Sequence, residues 1–135
     1  MKKYDSLEHT ADIKFRCYGK TVAEVFENAA LAISNYLAKE NKIKSIITKK
    51  IEIESNDMKS LLYLFIDEII FLLDAKYFIT KSAKVKINDK KLTAFLKGDS
   101  TKNYKGLDHI KAATYSEMEI KKVKIGYEGV FVIDV

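Results

Sequence analysis

Read for the spacing of its apolar positions, the chain opens on a short alternating segment. Ile13 to Cys17 places Phe15 and Cys17 two apart, which predicts a strand entered through His9-Thr10-Ala11-Asp12 and closed near Tyr18-Gly19. Thr21 then marks a helix start, with Glu24 three residues on completing a capping box. Val22, Val25, Phe26, Ala29, Ala30, Ile33 and Leu37 follow at helical spacing and form one apolar stripe. Lys39 to Lys44 is polar and reads as a loop. Ile47, Lys49, Ile51 and Ile53 alternate with Thr48, Lys50 and Glu52, a strand with one mostly apolar face.

A second helix is predicted from about Met58 to Asp74, with Ser55, Asn56 or Asp57 as its N-cap. Leucine, isoleucine and phenylalanine nearly encircle it between Leu61 and Leu73, so it is expected at the centre of the core, covered on more than one side. Asp67 and Glu68 interrupt that belt, either as a narrow solvated seam or as groups held at a site. The remainder is β-rich. Val85 and Ile87 lead into Asn88-Asp89-Lys90-Lys91, and Leu92, Ala94 and Leu96 lead out, a hairpin pattern. A second hairpin pairs Met118 to Ile125 with Val130 to Val135 across Gly126 to Gly129. Asp108 to Tyr115 fits strand or helix equally. Two helices against one mixed or antiparallel sheet make an α+β, two-layer architecture.

With 135 residues, no proline and five glycines, no linker or repeat divides the chain, and residues 1–135 are expected to form one domain. A hydrophobic fraction of 47% beside 32% charged residues places it among folded proteins rather than disordered ones. Cys17 is the single cysteine, which excludes an internal disulfide and a cysteine-only zinc site; its place in a strand predicts a buried, inert thiol. Asp5, Glu8 and Asp12 stand where a signal peptide would be apolar. The Leu61–Leu73 stretch is too short and too charged to cross a bilayer. A cytoplasmic protein is the expectation.

Charge is uneven. Residues 1–75 hold 11 basic and 12 acidic side chains, and residues 76–135 hold 13 and 7, balances of −1 and +6 that sum to the net +5. Such a basic half steers toward RNA or an acidic partner, or is a lysine-rich solvated surface. Arg16 is the only arginine, and without guanidinium forks tight direct reading of RNA is disfavoured.

Candidate chemistry is sparse. No glycine-rich phosphate loop, HExxH or Cys-x-x-Cys occurs, and His9 and His109 are the only histidines. His109 beside Asp108 suggests a base with its orienter, but neighbours on a strand face opposite ways, which favours a surface histidine. The start of the chain offers an imidazole, a hydroxyl and a carboxylate in His9-Thr10-Ala11-Asp12. Its last residues alternate Val130, Val132 and Asp134 against Phe131, Ile133 and Val135, putting a carboxylate beside a free α-carboxylate at a strand end. Oxygen groups crowded together in a partly buried place repel unless a cation joins them. If Asp12 lies near Asp134, a hard divalent ion such as Ca2+ or Mg2+ suits them; if not, Asp134 ends a solvated strand.

His9-Thr10-Ala11-Asp12-Ile13, Tyr18-Gly19-Lys20-Thr21 and Phe26-Glu27-Asn28-Ala29-Ala30-Leu31-Ala32 open an ordered series. Leu61-Leu62 with Asp67-Glu68-Ile69, Lys111-Ala112-Ala113-Thr114-Tyr115 and Phe131-Val132-Ile133-Asp134-Val135 complete it. In this order the series resembles the archease family over essentially the whole chain. The resemblance implies a non-enzymatic protein cofactor of the GTP-dependent tRNA-splicing ligase, one that promotes guanylylation of the ligase histidine and repeated turnover. It also implies an association with a tRNA cytosine methyltransferase. Carried over residue by residue, it makes Asp12, Asp134 and the main-chain end at Val135 a divalent-metal site, for Ca2+ foremost and Mg2+ or Mn2+ as alternatives. It marks Lys111 and His9 as functional without being catalytic. Ser116 stands where many members carry histidine. Two rival classes remain open, a metal-dependent phosphohydrolase and a basic RNA-binding module.

Overall fold

The computed structural model describes residues 2–9 and 11–135, with the side chains of Glu8 and His9 outside that description. In chain order the elements are β1 (Tyr4–His9), β2 (Asp12–Gly19), α1 (Val22–Ala38), β3 (Ile47–Glu54) and α2 (Met58–Lys76). They continue with β4 (Phe78–Asn88), β5 (Lys91–Ser100), β6 (Ala112–Lys122) and β7 (Tyr127–Asp134). The class is α+β, two main helices packed against antiparallel sheet, as the sequence pattern predicts. The strands divide between two sheets where one was expected: β1-β2-β7-β6 and β3-β5-β4. Local hairpin signals identify neighbours in sequence. The β2–β7 pairing joins the two ends of the chain and has no local signature.

Both helices start where side-chain chemistry directs. The Thr21 hydroxyl accepts from the Glu24 N–H at 3.1 Å, and the Glu24 carboxylate reaches back to the Lys20 N–H at 3.3 Å, so the box closes one residue earlier than expected. For α2 the cap is Asp57, which accepts from the Ser60 N–H at 2.7 Å. Past its last turn, Tyr77 takes a left-handed conformation (φ 53°, ψ 37°) and its N–H donates to the Leu72 carbonyl.

One contiguous buried cluster draws on both helices and both sheets. Phe15 stacks on Phe131 at 5.2 Å between β2 and β7, and Phe26 of α1 meets Phe65 of α2 at 5.5 Å. The second helix is less enclosed than its belt of apolar residues suggests. Leu64 and Phe71 are exposed, together with Asp67 and Asp74, and Glu68 is half-buried, so the acidic pair marks a solvated seam. Cys17 is buried, and that burial pushes its thiol far above the ordinary range, which makes it inert.

Several residues of the ordered series are explained by packing alone. Gly19 lies so close to α1 that a Cβ would stand 2.7 Å from the Val25 nitrogen. The Asn28 amide donates to the Tyr18 carbonyl at 2.6 Å, and Glu27 accepts the N–H of Val85 on β4 at 2.8 Å. These two bonds fix α1 against a strand of each sheet.

Asp99, near the end of β5, has no counterpart in the sequence reading. It accepts from the Tyr104 hydroxyl at 2.6 Å, the Ser100 N–H at 2.8 Å and the Asn103 amide at 3.1 Å. The Tyr104 oxygen accepts in turn from the Lys44 N–H at 2.9 Å, which ties the loop before β3 to this corner. The Tyr104 bond foremost, opposed by desolvation and aided by Ser100 and Asn103, holds the Asp99 carboxyl below its ordinary 3.8. A depressed folded pKa contributes stability that is full above the unfolded value and lost as pH falls through the folded one. Asp99→Asn is therefore expected to lower the melting temperature near neutrality and to soften the parent's loss of stability below about pH 4. Parallel acid-melting curves for the two proteins would assign that loss to other carboxylates.

Candidate metal centre

Sheet β1-β2-β7-β6 presents one face to the core and one outward. In the β2–β7 register Ile13 faces Ile133 and Phe15 faces Phe131, all buried. The intervening residues point outward, where Asp12 is the Cα partner of Asp134. Next to this pair the Val135 N–H donates to the Ala11 carbonyl at 3.2 Å. Asp12 and Asp134 thus form a non-hydrogen-bonded pair, in which the strands approach to about 4.5 Å and facing side chains are closest. Two carboxylates are set directly across from each other, and like charges in that position repel.

The other acids of this face have cations beside them. Lys14 bonds Glu117 at 3.0 Å, and Arg16 Nε lies 2.9 Å from Glu128 Oε1, an ion pair without hydrogen-bond alignment. Among the described residues no basic side chain pairs with Asp12 or Asp134. Asp12 Oδ1 is moreover buried with no hydrogen-bond partner among the described residues. A buried carboxylate oxygen without donor or counter-charge is costly, and a cation is one partner that would relieve it. The donors among the described side chains are oxygens, which suit hard divalent ions better than zinc or copper. Three or more histidine, cysteine, aspartate or glutamate side chains do not converge anywhere among the described residues.

The turn that delivers Asp12 is strained. Ala11 has φ 65°, a left-handed conformation that costs a residue with a Cβ about 1–2 kcal/mol. This residue immediately precedes Asp12 in the chain.

Most of the other expected site residues gather nearby along the backbone. His9 is the Cα partner of Asp12, and Ala112 that of Asp134, so four strands contribute one row across the sheet. The His9 imidazole and all of Thr10 lie outside the described residues. Lys111 immediately precedes β6, donates its N–H to the Asp134 carbonyl at 2.8 Å, and has an exposed side chain. The ambiguous 108–115 segment resolves into an irregular stretch followed by β6 from Ala112. His109 is exposed there, with Nε2 3.8 Å from Asp74 Oδ1 rather than oriented by Asp108, whose carboxylate accepts the His109 N–H. Ser116 is exposed in the irregular part of β6, between Thr114 and Glu119. Tyr115 was anticipated as motif but not in its setting. Its hydroxyl is 2.8 Å from Ser60 Oγ, its ring lies against Tyr63, and Lys59 Nζ is 4.9 Å from the ring centre.

The profile of the Archease protein family matches residues 4–135. This chain belongs to the archease family. It is 36% identical to an archease of Methanosarcina barkeri over an alignment covering 99% of this chain and 97% of that one. It is 34% identical to an archease of Pyrococcus furiosus, with 93% of each covered. The solution structure of Methanobacterium thermoautotrophicum protein 1598 superposes with a TM-score of 0.83 at 31% identity, covering all of both chains. A Thermotoga maritima archease, described as a possible chaperone, shares the fold at a TM-score of 0.63 and 22% identity. Archeases are non-catalytic protein cofactors that work with tRNA-ligase machinery, which sets this chain apart from free-standing enzymes. No helix among its described residues is long and apolar enough to cross a membrane.

Proposed function

We propose that this archease activates the GTP-dependent tRNA-splicing ligase through a divalent ion held by Asp12, Asp134 and the main-chain carboxylate at Val135. The observation that supports the reading is the facing pair of Asp12 and Asp134, to which no basic side chain among the described residues pairs. Ca2+ is the ion the family resemblance puts first; Mg2+ and Mn2+ are alternatives, and two carboxylates with open positions for water or phosphate oxygens suit them as well. When bound, the ion supplies positive charge that phosphate or carboxylate oxygens of the ligase or its nucleotide engage. Lys111 adds a point charge beside it, and its main chain is already bonded to Asp134. His9 stands in the same row through its register with Asp12. The archease itself breaks and forms no bond; it promotes ligase guanylylation and repeated turnover in the cytoplasm, acting as one domain of residues 1–135.

The test is multiple-turnover RNA ligation and ligase guanylylation with parent protein, Asp12→Ala and Asp134→Ala. Both variants are expected to lose nearly all stimulation, and Lys111→Ala most of it. A residue appended after Val135, which turns its carboxylate into an amide, is expected to weaken it. Full stimulation by both aspartate variants would refute the metal rim. Hydrolysis of phosphoesters by the archease alone, with metal but without ligase, would favour the phosphohydrolase class instead.

A further inference from the structure

Sheet β3-β5-β4 turns Leu92, Ala94 and Leu96 of its central strand into the core and leaves its other face open. On that open face the alternation of β5 is broken. Lys91, Thr93 and Lys97 are the polar residues expected of a solvated strand, but Phe95 stands among them, 43% exposed at the middle of the sheet. Its Cα partners are Lys50 on β3 and Lys84 on β4, and Lys50 Nζ lies 6.0 Å from its ring centre. With Lys86, Lys91 and Lys97 the face carries five lysines against Glu52 and Glu54, a balance of +3.

Among the described residues no large apolar side chain adjoins the ring on this face, so a hydrophobic partner or a second copy of the chain would find one isolated anchor. A polyanion with flat apolar faces matches both the charge and the ring. We propose that this face binds single-stranded RNA, with one base stacked on Phe95 and neighbouring phosphates taken by the surrounding lysines. Lysines act as point charges and no arginine is on the face, so the contact is tolerant of sequence. It is also weak, with a dissociation constant on the order of 1–100 μM at physiological salt. The surface lies on a different sheet from Asp12 and Asp134 and does not depend on the metal reading. Either can fail while the other stands.

Fluorescence anisotropy of a labelled mixed-sequence RNA of about a dozen nucleotides, titrated with the full chain, tests this. Affinity is expected to fall with salt at a log–log slope of about −2, corresponding to about three phosphates. Phe95→Ala and Phe95→Leu are expected to weaken binding about tenfold with the slope unchanged, the leucine variant separating stacking from mere apolar cover. Lys84→Gln combined with Lys86→Gln is expected to flatten the slope by about 1.4. A duplex of the same length is expected to bind less well, because its bases are already stacked. All these positions are exposed, and melting curves check that the variants fold. Parent-like affinity in Phe95→Leu, or equal affinity for duplex and single strand, would overturn the proposal. So would an RNA-independent dimer, seen by sedimentation, that Phe95→Ala dissociates, or binding of an acidic polypeptide with the same dependence on Phe95.

Discussion

In metal-free buffer Asp134→Asn is expected to melt above the parent protein, and in excess calcium below it. The crossing follows from the register. Asp12 and Asp134 face each other in a close pair, and neither has a basic partner among the described residues. Like charges in that arrangement oppose folding by up to about 1 kcal/mol, which an isosteric amide relieves. That is worth about 4 °C for a chain of this length. The same repulsion holds the parent ready for a cation. Calcium at about 100 times its dissociation constant would stabilise the folded parent by about 2.7 kcal/mol, or about 10 °C, because the unfolded chain does not keep the two oxygens together. The amide variant lacks the second charge and is expected to gain almost nothing. Scanning calorimetry with chelator, Ca2+, Mg2+ and Mn2+ measures both effects and ranks the ions. A parent whose melting no divalent ion shifts, or an Asp134→Asn protein already weaker in chelator, would show the pair to be ordinary surface carboxylates.

What made this site legible was alternation. Period-2 spacing in the last residues assigns Asp134 to the face of Val130 and Val132, and the register confirms that face against Asp12, Lys14 and Arg16. The same spacing could not say which strand lies alongside, since no local signal joins residue 12 to residue 134. The family resemblance supplied that connection. β1 went unpredicted for a related reason: Tyr4 to His9 carries charge at Asp5 and Glu8 and only one aliphatic residue, Leu7, so its pairing with β2 is decided by the sheet rather than by its own pattern. The bulge of β4 between Thr80 and Ser82 was equally hidden. There Gly98 of β5 runs so close that a Cβ would collide with the Ile79 carbonyl oxygen, a contact between residues that no short-range pattern relates. The Asp99 corner depends on Tyr104 and on the Lys44 backbone, and polar networks of that kind leave no period to read. Phe95, conversely, falls opposite Leu92, Ala94 and Leu96 by alternation alone, but that lysines of β3 and β4 flank it there depends on the register.

Phe65→Ala is expected to be among the most damaging single truncations in the fold. Phe65 is fully buried on α2 and meets Phe26 of α1, also fully buried, with ring centres 5.5 Å apart. Removing a ring from such a position leaves a cavity that two helices and their sheets cannot close together, at about 3–5 kcal/mol. A domain of this size has only about 5–15 kcal/mol in total, so the variant would melt about 10–20 °C lower or fail to accumulate folded. Six residues along the same helix the opposite is expected. Phe71 is half exposed, and Phe71→Ala should move stability by no more than about 0.5 kcal/mol. Both are phenylalanines in an apolar belt, and sequence spacing alone treats them alike; only the packing of α2 separates them. Urea melts of the two variants, with Phe26→Ala and the Phe26→Ala/Phe65→Ala double variant, check the claim. The two single costs should sum to more than the double, because each truncation already empties part of the same contact. Strict additivity, or equal losses at Phe65 and Phe71, would mean that α2 is seated differently, with its exposed seam turned toward the core.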